Sequence, residues 1–106
     1  ARFGLLGEHH PGSFAEFVVA PAANLRRIPD SVPDEVAAAF TLATLTAWRM
    51  CVTKAQVRTG EDVLIWGIGG GVAQAALRIC KQLGARVWVT SSSDDKLARA
   101  AAMGAD

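Results

Sequence analysis

The chain has 106 residues, 51% of them hydrophobic and 20% charged, with a formal net charge of +1. This balance excludes a disordered chain, and at this length one modest domain burying about two-thirds or less of its surface is expected. Both signs of charge are dispersed, so neither a basic patch for nucleic acid nor an acidic tail is present, and no apolar run is expected to reach membrane-spanning length.

The opening residues do not read as a signal peptide. His9 and His10 are adjacent, which is not metal-ligand spacing on a helix or a strand. A solvated loop ahead of the Pro11-Gly12 turn is the better reading. Residues 14–19 (FAEFVV) read as a strand with Ala15, Phe17 and Val19 on one apolar face and Glu16 on the other. Pro21 stops it, and residues 25–28 read as a second short extended piece. Pro33 suits a first helical turn, with Asp34 and Glu35 favoured near the positive pole of the helix dipole. That helix is expected to end at about residue 40. A second, from about residue 42 to 54, would place Leu42, Leu45, Trp48 and Val52 on one face. Cys51 and Cys80 fall in helical segments without CxxC spacing and read as buried, reduced, inert thiols.

The stretch that organises the rest is DVLIWGIGGGVAQAA, residues 62–76. Residues 63–66 have the length and branching of a buried strand. Gly67-Ile68-Gly69-Gly70-Gly71 follows, and from Val72 onward Val72, Ala75, Ala76, Ile79, Cys80 and Leu83 recur at helical spacing. Gly84 is placed as a left-handed cap. Residues 85–90 read as a second strand. A last helix with Leu97, Ala100 and Ala101 facing inward ends at Gly104, with Ser92 and Asp95 spaced as a capping box. Strand, glycine turn, helix and strand in this order form a phosphate-binding β-α-β unit: the glycines let the backbone approach a pyrophosphate, and the helix aims free N–H groups at it. The plain alternative is a tight turn without a ligand. An S-adenosylmethionine methyltransferase also has a strand running into a glycine turn, but it wants acids where this chain has Trp66 and Ser91.

The segments GSFAEFVVAPAANLRRIPD, EVAAAF, LTAWRM and RTGEDVLIWGIGGGVAQAALRICKQLGARVWVTSSSDDKL, in this order, resemble the medium-chain dehydrogenase/reductase superfamily. The likeness covers nearly the whole chain and is nearest to the quinone-oxidoreductase-like, crotonyl-CoA-reductase-like and zinc-type alcohol dehydrogenase branches. It implies an α/β fold: a partial Rossmann domain with parallel strands in β-α-β-α order, preceded by strands from a GroES-like catalytic domain. Residues 1–40 would be the end of the catalytic domain and residues 41–106 the start of the cofactor domain, so that the chain is a piece of a longer protein. The implied activity is hydride transfer between a nicotinamide cofactor and a carbonyl, alcohol or activated alkene. Other implications are a small-molecule substrate, no nucleic-acid or membrane partner, a homodimer or homotetramer at full length, and a cytoplasmic address. A non-catalytic NADP(H)-binding relative is the alternative.

The cofactor-binding candidates are Thr46, Gly67, Gly69, Gly70, Gly71, Val72, Ser91, Ser92 and Lys96. The glycine spacing matches the quinone-oxidoreductase-like pattern at Gly67, Gly70 and Ala73, with Ala73 where the family more often has glycine. Leu42 stands where zinc alcohol dehydrogenases place a ligating cysteine, so zinc is not supported within this segment. Thr46 is where the family places a threonine against the nicotinamide; equally, its hydroxyl can bond back to its own helix. At the tip of the second strand Ser91 replaces the acid that would bind a ribose 2′-hydroxyl, and Lys96 follows. NADP(H) is therefore favoured over NAD(H). No nucleophile, general base or carboxylate pair forms a catalytic constellation.

Overall fold

The computed structural model describes residues 4–106. Its centre is the expected α/β unit. Strand β1 (Asp62–Ile65) and strand β2 (Arg86–Val89) pair in parallel, with Asp62 opposite Arg86 and Ile65 opposite Val89. A parallel pair needs a crossover, and helix α2 (Gly71–Gln82) supplies it. Gly84 has φ +80° and ends α2 as a left-handed residue, a conformation that glycine adopts without steric cost. Helix α3 (Asp94–Ala102) follows β2 and stops before Gly104, which has φ +100°.

The core lies between α2 and the sheet, where Leu77, Cys80 and Val87 are fully buried among Ile65, Ile68, Ala76, Ile79, Ala85 and Ala100. The helical pattern anticipated Ala76, Ile79 and Cys80 but not Leu77. The inward arc of α2 is wider than one stripe because α2 packs on both the sheet and α1. On α3, Ala100 is buried and Leu97 half-buried, whereas Ala101, expected inward, is exposed.

Helix α1 (Asp34–Trp48) corrects two expectations. It passes through residues 40–42 without a break, and Arg49–Lys54 continue it as a π-helix. The Thr41 hydroxyl donates to the Ala37 carbonyl at 2.7 Å, so this β-branched residue sits within the helix. The buried face also differs. Leu42, Leu45 and Trp48 are exposed, while Ala47 and Cys51, one turn apart, are buried. Small residues let two helix backbones approach closely, and Ala43 and Ala47 of α1, with Cys51 in its π-helical continuation, form that narrow side. Asp34–Lys54 is 21 residues long with mean hydropathy 1.3, long and apolar enough by length and composition to cross a membrane, contrary to the sequence expectation. Core helices of soluble folds pass the same test.

The strand expected at residues 14–19 does not form. Phe14, Phe17 and Val19 are exposed, and no ladder partner lies beside them among the described residues. A strand exists only through its neighbour's hydrogen bonds, so apolar alternation alone does not make one. Residues 25–28 likewise form no strand; Leu25 is extended, after a 3-10 turn at Ala22–Asn24. His9 and His10 lie in an exposed loop.

Candidate functional site

The glycine turn leaves β1 through exposed Trp66 and reverses at Gly67, whose φ of +77° excludes most side chains. Ile68 next to it is 3% exposed and anchors the turn in the core. Three hydrogen bonds tie Thr90, at the end of β2, to the turn and to the last residue of β1. The Gly67 N–H donates to Thr90 Oγ1 at 3.0 Å, the Ile68 N–H to the Thr90 carbonyl at 3.0 Å, and the Thr90 N–H to the Ile65 carbonyl at 3.1 Å. Thr90 thus clamps the loop from both its backbone and its side chain.

Gly70 is the N-cap of α2, in extended conformation, and no side chain caps the helix. The first bond of the helix runs from the Gln74 N–H to the Gly70 carbonyl. The N–H groups of Gly71, Val72 and Ala73 therefore have no acceptor among the described residues. A Cβ built on Gly70 would meet nothing within 4 Å, and one on Gly71 only the Ala43 methyl at 3.6 Å. The space in front of α2 is open, dipole-polarised and lined by donors, which fits the pyrophosphate of a dinucleotide.

Lys96 folds back from α3 over this turn: a Cβ on Gly69 would lie 3.2 Å from its Nζ. Gln74 also reaches back, its Nε2 donating to the Gly69 carbonyl at 3.4 Å. Ser91 is half-buried at the tip of β2, and its Oγ accepts from the Ser93 N–H at 3.1 Å. The capping box expected at Ser92 and Asp95 is absent. Ser93, one residue later than the spacing suggested, is the N-cap of α3; its side chain makes no capping bond, and its N–H donates to Ser91 Oγ. Ser92 is exposed.

Thr46 is held elsewhere. Its hydroxyl donates to the Leu42 carbonyl at 2.9 Å, the local alternative that the sequence left open, and no hydrogen bond joins it to the glycine turn. The structure thus gathers Gly67, Gly69, Gly70, Gly71, Val72 and Lys96 around one turn, with Ser91 at the adjoining strand tip. Thr90 and Arg99 were missed. Arg99 lines the same hollow as Lys96 and Gly69. Neither residue carries a local signal, since each meets the turn from a distant part of the chain.

Among the described residues, no three of His, Cys, Asp and Glu converge to hold a metal ion. Cys51 and Cys80 are free and buried. Burial and the neighbouring Cys51 thiol push the Cys80 thiol up to about 12, which keeps it protonated and unreactive.

No family model matches the chain. Individual proteins match it well. The L-threonine 3-dehydrogenase of Anaeromyxobacter sp. (strain Fw109-5) is 46% identical over 104 residues, 94% of this chain and 28% of that protein. A crystal structure of an NAD-dependent alcohol dehydrogenase superposes with a TM-score of 0.91 at 52% identity, covering 99% of this chain and 31% of the other. The quinone oxidoreductase from Thermus thermophilus, described also in complex with NADPH, gives a TM-score of 0.81 at 36% identity, covering 92% of this chain and 33% of the other. The chain spans about a third or less of each of these proteins. On its sequence, its parallel β-α-β unit and these relatives, the chain belongs to the medium-chain dehydrogenase/reductase superfamily of oxidoreductases.

Proposed function

We propose that the full-length protein is an NADP(H)-dependent oxidoreductase that moves hydride to or from a small carbonyl, alcohol or activated-alkene substrate. When bound, the nicotinamide supplies or accepts the hydride. This chain's own work is binding and orientation. The amides of Gly71, Val72 and Ala73 offer donors to the pyrophosphate, and Thr90 holds the turn in the shape that aims them. Gly70 keeps the approach clear.

The observation that carries the NADP(H) preference is the pairing of Ser91 at the strand tip with Lys96 over Gly69. A carboxylate at Ser91, about 4 Å from a 2′-phosphate, would cost roughly 4 kcal/mol per unit charge at an effective dielectric of 20, reduced by solvent at this half-exposed position. Serine removes that repulsion and keeps a hydroxyl hydrogen to donate. Among the relatives both cofactors are named, NAD in the alcohol dehydrogenase and NADPH in the quinone oxidoreductase complex, so the preference rests on this chain's residues.

The test is Ser91→Asp in the full-length protein. The ratio of kcat/KM for NADPH over NADH should fall by about 10- to 100-fold. A wild-type protein that already prefers NADH, or a ratio unmoved by Ser91→Asp, would overturn the assignment. A second reading is a non-catalytic NADP(H)-binding relative, because what this chain supplies is binding and orientation. Cofactor binding without turnover on any carbonyl or alkene panel would select it.

A further inference from the structure

We propose that Arg99 acts beside Lys96 as a second cation for the cofactor's 2′-phosphate, making it a specificity-determining residue; the inference rests on the NADP(H) reading above. Lys96 and Arg99 are three residues apart on α3 and therefore share a face. That face borders a hollow of about 160 Å³ between α3 and the glycine turn, lined also by Gly69 and Gln74 and floored by Ile68 and Ala100. Both cations and the turn meet at one concavity.

The charge balance requires a pair. A phosphate monoester carries about −1.5 to −2 at neutral pH, so a single lysine leaves it under-neutralised. Two like charges on one helix turn repel each other in the absence of an anion. Among the described residues, neither the Lys96 nor the Arg99 side chain makes a hydrogen bond or ion pair. The local partner for Arg99 would be Asp95, one turn earlier on α3, but no ion pair forms between them. A second basic hollow, at the opposite ends of α2 and α3, contains Arg78 and Lys81. There Lys81 is already neutralised by Asp106 at 2.7 Å, so that hollow has less call for an anion. Arginine suits the role because its planar fork donates two parallel hydrogen bonds to phosphate oxygens, whereas lysine acts as a point charge.

The experiment measures calorimetric dissociation constants of the full-length protein for NADPH and NADH at low and high salt, with melting temperatures alongside. Arg99→Ala should weaken NADPH about tenfold, leave NADH within about twofold, and flatten the salt dependence of NADPH binding. Arg99→Lys should restore part of the loss. If Arg99→Ala leaves the NADPH/NADH ratio within about twofold of wild type while Lys96→Ala lowers it, Arg99 is a solvated surface residue and the inference fails with the NADP(H) reading intact. Equal loss for both cofactors, with a lowered melting temperature, would mean that Arg99 acts through the fold and would overturn the inference too. If wild type prefers NADH and neither substitution moves the ratio, the inference and the reading fall together.

Discussion

Gly70→Val separates the binding role of the glycine turn from its folding role. Gly70 sits at φ −86°, ψ 152°, an extended conformation that β-branched residues adopt readily. A Cβ there meets no atom within 4 Å. The folded state therefore loses only the modest preference for glycine over valine at an N-cap, about 1 kcal/mol or less. What valine does occupy is the open ground before α2, over the amides of Gly71, Val72 and Ala73. A pyrophosphate seated there would accept from at least two of them, and each charge-assisted bond is worth about 1.5–3 kcal/mol. Losing two costs about 3–6 kcal/mol, so NADPH affinity should fall at least about a hundredfold. Titration calorimetry on the full-length protein reads the affinity, and thermal melting confirms that the fold persists. A folded Gly70→Val protein with wild-type NADPH affinity would refute the phosphate-loop assignment. Gly67→Val provides the contrast. Its φ of +77° imposes strain on any β-branched residue, so stability and affinity should fall together there.

Two further predictions concern the frame around the turn. Gly84→Ala would place a methyl 2.9 Å from Thr59 Cγ2 in a left-handed backbone and disturb the Thr59 hydroxyl's bond to the Leu83 carbonyl, for a loss of about 2–3 kcal/mol; an unchanged melting temperature would refute the cap. The Cys80 thiol is raised from its ordinary 9.0 to about 12 in the fold. Its contribution to stability is therefore complete below pH 9.0 and is lost as pH climbs toward about 12. Urea unfolding across that window should show falling stability that Cys80→Ala flattens, and an equal slope in both proteins would refute the coupling.

The β-α-β unit was legible because each of its signals is local. A short branched apolar run, a glycine cluster and a glycine at the end of an apolar helix each state their conformation within a few residues. Gly84 has the positive φ that its place as a helix cap suggested. Residues 14–19 failed for the opposite reason. Their alternation describes a surface that a strand would present, but a ladder needs a partner, and none stands beside them among the described residues.

The face of α1 failed for a subtler reason. Counting apolar bulk selects Leu42, Leu45 and Trp48, and the fold buries Ala47 and Cys51 instead. Closeness between helices is governed by how little stands between their backbones, and bulk works against it. The consequence reaches the site. Ala43 lies against the start of α2, with its methyl 3.6 Å from where a Cβ on Gly71 would stand, and a leucine at that position would push the two helices apart at the point where the free amides emerge. The same logic explains why Thr90 and Arg99 were invisible in the sequence. Glycine, alanine and the amides define the room for a phosphate and are read locally. The groups that fix and charge that room arrive from β2 and α3, and only the pairing of β1 with β2 brings them there. On the NADP(H) reading proposed above, selectivity between the two nicotinamide cofactors would depend on the register of that ladder: a slip of one residue would carry Thr90 off Gly67 and turn the strand tip, with Ser91, to the opposite face.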